Sequence, residues 1–368
     1  MIMASLMFIA GEASGDANAA ELVKCLRARL PGLKVFGAGG PKMKAAGMEL
    51  LLDLTEHAVV GLVEVLKNYG KFRRMFWQLV REAERRRPDA VVLVDFPGFN
   101  LRFAAQMKKR AIKVIYYISP QLWAWHASRA KQIERDVDLM LTIFPFEKAW
   151  YAAHAPKLRV ESVGHPMAER GASSVEREKR SVLLLPGSRE REVAKIVPVM
   201  AQVVEQMPQD VKFVAAAVNE QMAEMIKHPR VKVEVGNAHE LMKRATLAIT
   251  ASGTATMECA FYGCPMIVVY KVNWLTYLVG RSVITVNWLA MPNVIAGKSV
   301  VPEFIQHDAK PGRIAAVACE LLEDAPKREA MQRELADVVK SLGGPGASVR
   351  AAVAILARLD RQPSSAGH

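Results

Sequence analysis

Thr-Ala-Ser-Gly-Thr-Ala-Thr-Met-Glu-Cys-Ala-Phe-Tyr-Gly-Cys-Pro, residues 250–265, follows directly on the apolar run Leu247-Ala248-Ile249. An apolar run, small residues at Ser252-Gly253-Thr254 and then helix-favouring residues read as strand, tight turn and helix start. Backbone N–H groups and the positive end of a helix dipole at such a turn attract phosphate. Glu258 lies one turn past Thr254, roughly 6 Å along the axis, so a diphosphate at the helix start leaves a ribose beside that carboxylate. The structural alternative is a capping-box glutamate, but Ala255 stands at the capping position and cannot cap.

Outward from this unit the rhythm repeats. In the second half, Val182–Leu185, Lys212–Ala217, Val231–Val235 and Met266–Tyr270 are further short apolar runs. In the first half, Ser5–Ala10, Lys34–Phe36, Ala90–Val94, Val114–Ile118, Leu139–Phe144 and Arg159–Val163 read as buried parallel strands. Asn18–Leu30 and Leu101–Arg110 have helical spacing between them. The polar stretch Glu169–Arg180 reads as a linker. The expected fold class is α/β, with two Rossmann-like domains facing a cleft. The N-terminal domain covers residues 1–170 and the C-terminal domain 171–345. Residues 346–368 supply a last helix, which could return to the N-terminal domain, and a frayed tail.

Half of the 368 residues are hydrophobic, enough for two cores, and the net charge is +13. Residues 1–170 hold +9 of that charge. Nucleic acid, anionic lipid and phosphorylated small molecules are all compatible partners on charge alone. Four scattered cysteines and isolated histidines show neither a disulfide framework nor metal spacing, so nothing here requires a metal. The start Met1–Ala10 is too short to span a membrane and reads as a buried strand.

Two segments depart from the soluble pattern. In Val59–Arg87, Leu62, Leu66, Phe72 and Phe76 follow helical spacing, while Val63 and Trp77 widen the apolar stripe and Arg73 and Arg74 add charge. A basic helix with an over-wide apolar face suits an anionic lipid surface, and a core helix with a solvated basic face is the alternative. Val272–Gly297 carries a single charge, but Asn273, Gly280, Pro292 and Asn293 interrupt it, so buried packing or a membrane-facing loop is expected rather than a span.

Three turns carry candidate chemistry. Glu12, Ser14, Gly15 and Asp16 follow the first strand; two acids there would repel a pyrophosphate and suit sugar hydroxyls, with helix capping as the alternative. Asp95 ends the run Val91–Val94, where a carboxylate faces the ligand crevice and can act as general base, or else bonds its own turn. Gly187-Ser188-Arg189 ends the first strand of the second half; its backbone can accept phosphate and Arg189 can fork to it.

Beyond these local readings, nine stretches occur in order along both halves. They are Gly-Glu-Ala-Ser-Gly-Asp (11–16), Val-Gly-Leu-Val-Glu-Val-Leu (60–66), Asp-Phe-Pro-Gly-Phe-Asn (95–100), Tyr-Ile-Ser-Pro-Gln-Leu-Trp-Ala-Trp (117–125) and Phe-Pro-Phe-Glu-Lys (144–148). Gly-His-Pro-Met (164–167), Leu-Pro-Gly-Ser-Arg (185–189), Ala-Ser-Gly-Thr-Ala-Thr-Met-Glu (251–258) and Met-Pro-Asn-Val-Ile-Ala-Gly (291–297) complete the set. With them the chain resembles the lipid-A-disaccharide synthase family, glycosyltransferases of the GT-B fold. One departure is His126, where a basic residue is usual.

The resemblance implies transfer from UDP-2,3-diacylglucosamine to 2,3-diacylglucosamine 1-phosphate, forming a β(1→6) bond and releasing UDP with inversion. It implies no cofactor, no metal and no nucleic-acid partner. It also implies a peripheral position on the cytoplasmic face of the inner membrane, and it leaves a homodimer open. On this reading Asp95 is the base, and Glu12, Ser14, Gly15 and Asp16 line the acceptor side. Gly187, Ser188, Arg189, Ser252, Gly253, Thr254 and Glu258 hold the donor, with Asn293 and Glu303 reaching in. Leu62, Val63, Leu66, Phe72, Arg73, Arg74, Phe76 and Trp77 meet the membrane. The rivals are an enzyme like UDP-N-acetylglucosamine 2-epimerase, a non-catalytic membrane-associated UDP-sugar binding protein and, weakened by the absent glycine fingerprint, a dinucleotide oxidoreductase.

Overall fold

The computed structural model describes residues 4–55, 69–124, 127–170, 176–272 and 286–359. The chain divides into two compact units: one runs to Glu169 and takes in the chain from Gly343 onward, the other spans Arg170–Leu342. The first unit holds β1 (Ser5–Ala10), β2 (Lys34–Gly39), β3 (Glu49–Asp53), β4 (Ala90–Val94), β5 (Val114–Tyr117), β6 (Leu139–Thr142) and β7 (Val160–Ser162). They form one sheet in the order β3-β2-β1-β4-β5-β6-β7. The second unit holds β8 (Ser181–Leu185), β9 (Lys212–Ala217), β10 (Val231–Val235), β11 (Leu247–Ala251), β12 (Met266–Tyr270) and β13 (Glu303–Ile305), ordered β10-β9-β8-β11-β12-β13.

Neighbouring strands in both sheets pair in parallel. That arrangement explains the unbroken apolar runs: β4 and β11 are buried at every position because helices cover both faces. The edge strands β3 and β13 escape prediction. Each starts on a glutamate; β3 is three leucines between two acids, and β13 is three residues long. The helix Ala347–Leu356 packs on the helix Ala13–Arg29 within the first unit.

In each sheet the strand order reverses direction once. The chain works outward from β1 to β2 and β3, then crosses back so that β4 lies against the other side of β1; β8 and β11 repeat this in the second unit. Ligands of open parallel sheets sit at such a switch, outside the carboxyl ends of the strands. The turns singled out in the sequence all follow these four strands.

Two expectations change. Asp16 is 2% exposed, and its carboxylate accepts the backbone N–H groups of Gly40, Lys42 and Met43 at 2.9, 3.0 and 3.0 Å. It therefore caps the short helix Pro41–Ala45 rather than lining the acceptor side, because that helix start has no cap of its own. The basic segment is a helix over Tyr69–Arg86, in which Met75, Leu79, Val80 and Ala83 face the core. Phe76 packs edge-on against Phe99 and Phe103, so it leaves the expected membrane face, while Arg73, Arg74 and Trp77 stay exposed. Leu62, Val63 and Leu66 lie outside the described residues. Among the described residues no helix is long and apolar enough to cross a membrane.

The Asp16 cap yields a stability test. Asp16→Ala should cost about 3 kcal/mol in urea unfolding, since it strands two buried donors and one partly buried one. A variant of wild-type stability with weakened acceptor binding would restore the ligand role.

Candidate functional site

At the switch of the first sheet, β4 ends in two consecutive left-handed residues, Asp95 (φ 47°) and Phe96 (φ 50°). Such non-glycine conformations cost about 1–3 kcal/mol each and need support. The Asp95 N–H donates to Tyr117 at 3.0 Å, and the Asp95 carbonyl accepts from the Tyr116 hydroxyl at 2.6 Å and the Asn100 carboxamide at 2.8 Å. Asn100, itself fully buried, also reaches the carbonyl of Ile9 on β1 at 3.4 Å. Burial first, and then the Asp95 charge, push the Tyr116 hydroxyl well above the usual tyrosine range, so it remains a donor. The half-buried Asp95 is thus set at the strand end.

The turn after β1 is pressed against this one. A Cβ on Gly11 would lie 2.2 Å from the Phe96 ring, so only glycine lets the two turns meet. Glu12 and the exposed Ser14 follow on the same edge, while Gly15 is buried against Ala10 and β4. Glu12 and Ser14 are therefore brought beside the Asp95 turn, and Gly15 serves packing.

Further along that edge, three motifs without a chemical reading converge on Glu147. It is fully buried and accepts from the Trp123 indole at 3.3 Å and from the Ile143 and Phe144 N–H groups at 3.1 and 3.0 Å. Ser119 shares a 2.9 Å hydrogen bond with the Tyr151 hydroxyl, and His165 lies with its ring against Phe144. Burial lifts the Glu147 carboxyl to about 7 against these donors, which pull it down. The Ser119–Trp123 loop after β5 is thereby fastened to the loop after β6. Trp125 and His126 lie outside the described residues.

In the second sheet, the turn after β8 brings Gly187 (φ +117°) over the carboxylate of Glu192, which a Cβ at Gly187 would meet at 2.3 Å. Glu192 accepts the backbone N–H groups of Ser188 and Arg189, and burial raises its carboxyl above the ordinary range. Gly187 is half-buried and Ser188 is exposed on this turn. The exposed Arg189 side chain is what this turn offers a ligand.

After β11, the Ser252 N–H donates to Val269 at 3.2 Å and its hydroxyl to Leu289 at 3.0 Å, so Ser252 braces the turn. Gly253 and Thr254 are exposed at the start of the helix Thr254–Phe261. Glu258, one turn in, lies 3.3 Å from the His239 imidazole, a partner the sequence showed only as an isolated histidine.

Asn293 and Glu303 are corrected as well. Asn293 is fully buried: its amide donates to Val301 and Glu303, and its oxygen accepts from Val300 and Val301. Glu303 also accepts from Leu289 and Ala290 at 3.1 and 2.9 Å. Both brace the loop that Ser252 touches rather than reaching for a sugar. Among the described residues no cluster of His, Cys, Asp or Glu could hold a metal ion.

Known proteins match this arrangement along its whole length. The family model described as lipid-A-disaccharide synthetase matches residues 6–357. The lipid-A-disaccharide synthase of Anaeromyxobacter dehalogenans (strain 2CP-C) is 39% identical, covering 95% of this chain and 96% of that protein. Among solved structures, the calicheamicin glycosyltransferase CalG4 superposes with a TM-score of 0.62 at 16% identity, over 99% of this chain and 100% of its own. Arabidopsis thaliana UGT89C1, complexed with UDP-L-rhamnose, gives a TM-score of 0.66 at 14% identity over 96% and 98%. These two share the fold alone, the GT-B plan of two parallel-sheet α/β units.

Glu147 gives the first unit a pH signature. Its folded value is above its unfolded one, so the stability it contributes is complete at acid pH and is lost as pH rises through about 7. Between about pH 5 and pH 8 the wild type should lose about 2–3 kcal/mol more than Glu147→Gln in urea unfolding. Parallel curves for the two proteins would place the titration elsewhere.

Proposed function

The chain belongs to the lipid-A-disaccharide synthetase family, and from that premise we propose how its residues carry the reaction. It is a glycosyltransferase of lipid A biosynthesis, condensing UDP-2,3-diacylglucosamine with 2,3-diacylglucosamine 1-phosphate to the β(1→6) disaccharide and UDP. The family match across nearly the whole chain carries this reading. It does not favour the epimerase-like or non-catalytic alternatives.

Asp95 takes the proton from the acceptor 6-hydroxyl. That oxygen then attacks the donor's anomeric carbon from the face opposite UDP, and the breaking bond leaves its electron pair on the diphosphate. Supporting this role, the carboxylate stands at the switch on a backbone turn held by Tyr116, Tyr117 and Asn100. The Arg189 side chain and the helix start at Gly253–Thr254 stabilise the charge on the leaving group, and Glu258 accepts from the ribose. Glu12 and Ser14 contact the acceptor sugar. The same reading places the enzyme on the cytoplasmic face of the inner membrane, docked through Trp77, Arg73 and Arg74 beside the segment holding Leu62, Val63 and Leu66. A flat aromatic with two cations suits anionic headgroups.

Asp95→Asn should lower turnover by about a thousandfold, within the range of general-base catalysis, while UDP binding by calorimetry stays near wild type. Near-normal turnover would remove Asp95 as the base. Replacing Trp77, Arg73 and Arg74 together by Ser should weaken binding to vesicles containing phosphatidylglycerol at least about tenfold without lowering the melting temperature, at about 1 kcal/mol per cation. Unchanged vesicle binding would move the docking surface elsewhere.

A further inference from the structure

Glu258 has been read from its helix position alone, yet the fold gives it a fixed neighbour. After β10 the chain turns at Gly236 (φ +73°), and the Asn237 amide donates to Glu234 at 2.8 Å. The helix Ala238–Arg244 then begins, anchored by the buried Leu241 and Met242. This anchoring turns His239, in the first turn, toward the helix that follows β11. The His239 Nε2 atom lies 3.3 Å from Glu258 Oε1, with side-chain exposures of 44% and 21%. A carboxylate oxygen only accepts, so Nε2 carries the proton in this contact. The ring is also tilted against Tyr262 at 5.6 Å, and the Lys243 ammonium lies over the Tyr262 ring at 5.5 Å.

We propose that His239 is a positioning residue of the donor site, holding the Glu258 carboxylate so that its remaining acceptor positions face the vicinal hydroxyls of a ribonucleoside diphosphate. This rests on the reading that Glu258 binds ribose. An untethered glutamate on a helix surface samples several rotamers, and ordering it on binding costs affinity. A carboxylate oriented beforehand by a hydrogen bond from another element avoids most of that cost. The tether occupies one oxygen of this partly exposed side chain and leaves the second for a diol. Arg244 and Lys243, on the same short helix, point to other partners: Lys243 pairs with Glu240 and Arg244 with Glu178. The imidazole is thus the group of this helix that meets Glu258.

UDP and 2′-deoxy-UDP, titrated calorimetrically into the full chain, read the tether directly. The wild type should prefer UDP, and Glu258→Gln should lose that preference. His239→Phe keeps a ring against Tyr262 but removes the N–H; it should weaken UDP about five- to tenfold, on the order of one ordinary net hydrogen bond, and leave 2′-deoxy-UDP within about twofold. His239→Gln, whose amide can still donate, should recover most of the loss. If Glu258→Gln keeps the wild-type preference, the ribose reading itself is overturned. If Glu258→Gln loses it while His239→Phe behaves as wild type, the positioning role of His239 is overturned. Equal weakening of both nucleotides by His239→Phe would also overturn it, since the ring would then be serving packing rather than the diol.

Discussion

The pairing of β4 against β1 is the contact on which the first unit's chemistry depends. Because all strands of that sheet run the same way, their carboxyl ends share one edge, and the reversal of strand order opens a gap there between two outgoing connections. Asp95 is delivered to that gap by a turn that L-residues adopt only under constraint, φ 47° followed by φ 50°. The constraint is a single buried carboxamide, Asn100, which reaches Val94, Asp95 and Ile9 at once and so fastens β4 to β1 at the point of the turn. Tyr116 adds its hydroxyl from β5. The position of the Asp95 carboxylate is therefore a property of three strands rather than of its own loop.

The second unit repeats the architecture with a different chemical content. Its switch lies between β8 and β11, and the two turns there are cationic or small where those of the first unit are acidic. An edge bearing carboxylates suits sugar hydroxyls and proton transfer, and an edge bearing Arg189 and a helix start suits a diphosphate. On the proposed reading, one fold used twice separates the two tasks onto two sheets, one for the acceptor alcohol and one for the nucleotide-activated donor.

Polar residues near these edges divide by how many of their hydrogen-bonding positions the protein already uses. Asp16, Asn293, Glu303, Glu147 and Glu192 spend theirs on backbone donors and hold loops in place. A buried backbone N–H left without a partner is costly, so these side chains are committed to the fold. Ser14 and Thr254 are exposed at the same edges, and the Glu258 side chain is partly exposed. Saturation, more than residue type, separates the scaffold from the groups that can meet a ligand.

The sequence by itself determined the two α/β units, their central strands and the turns at both switches, because apolar runs and small-residue turns are local signals. Asp95, Arg189 and Glu258 were legible for that reason: each stands at a fixed offset from a strand end. The edge strands Glu49–Asp53 and Glu303–Ile305 were not: the first is three leucines between two acids and the second is three residues long. Only the tertiary structure decided which candidates are already consumed. Asp16 meets donors more than twenty residues away, Asn100 meets Ile9 across 91 positions, and His239 meets Glu258 across 19. Such pairings arise from helices and strands packed side by side, and the spacing of residues along one chain carries no record of them.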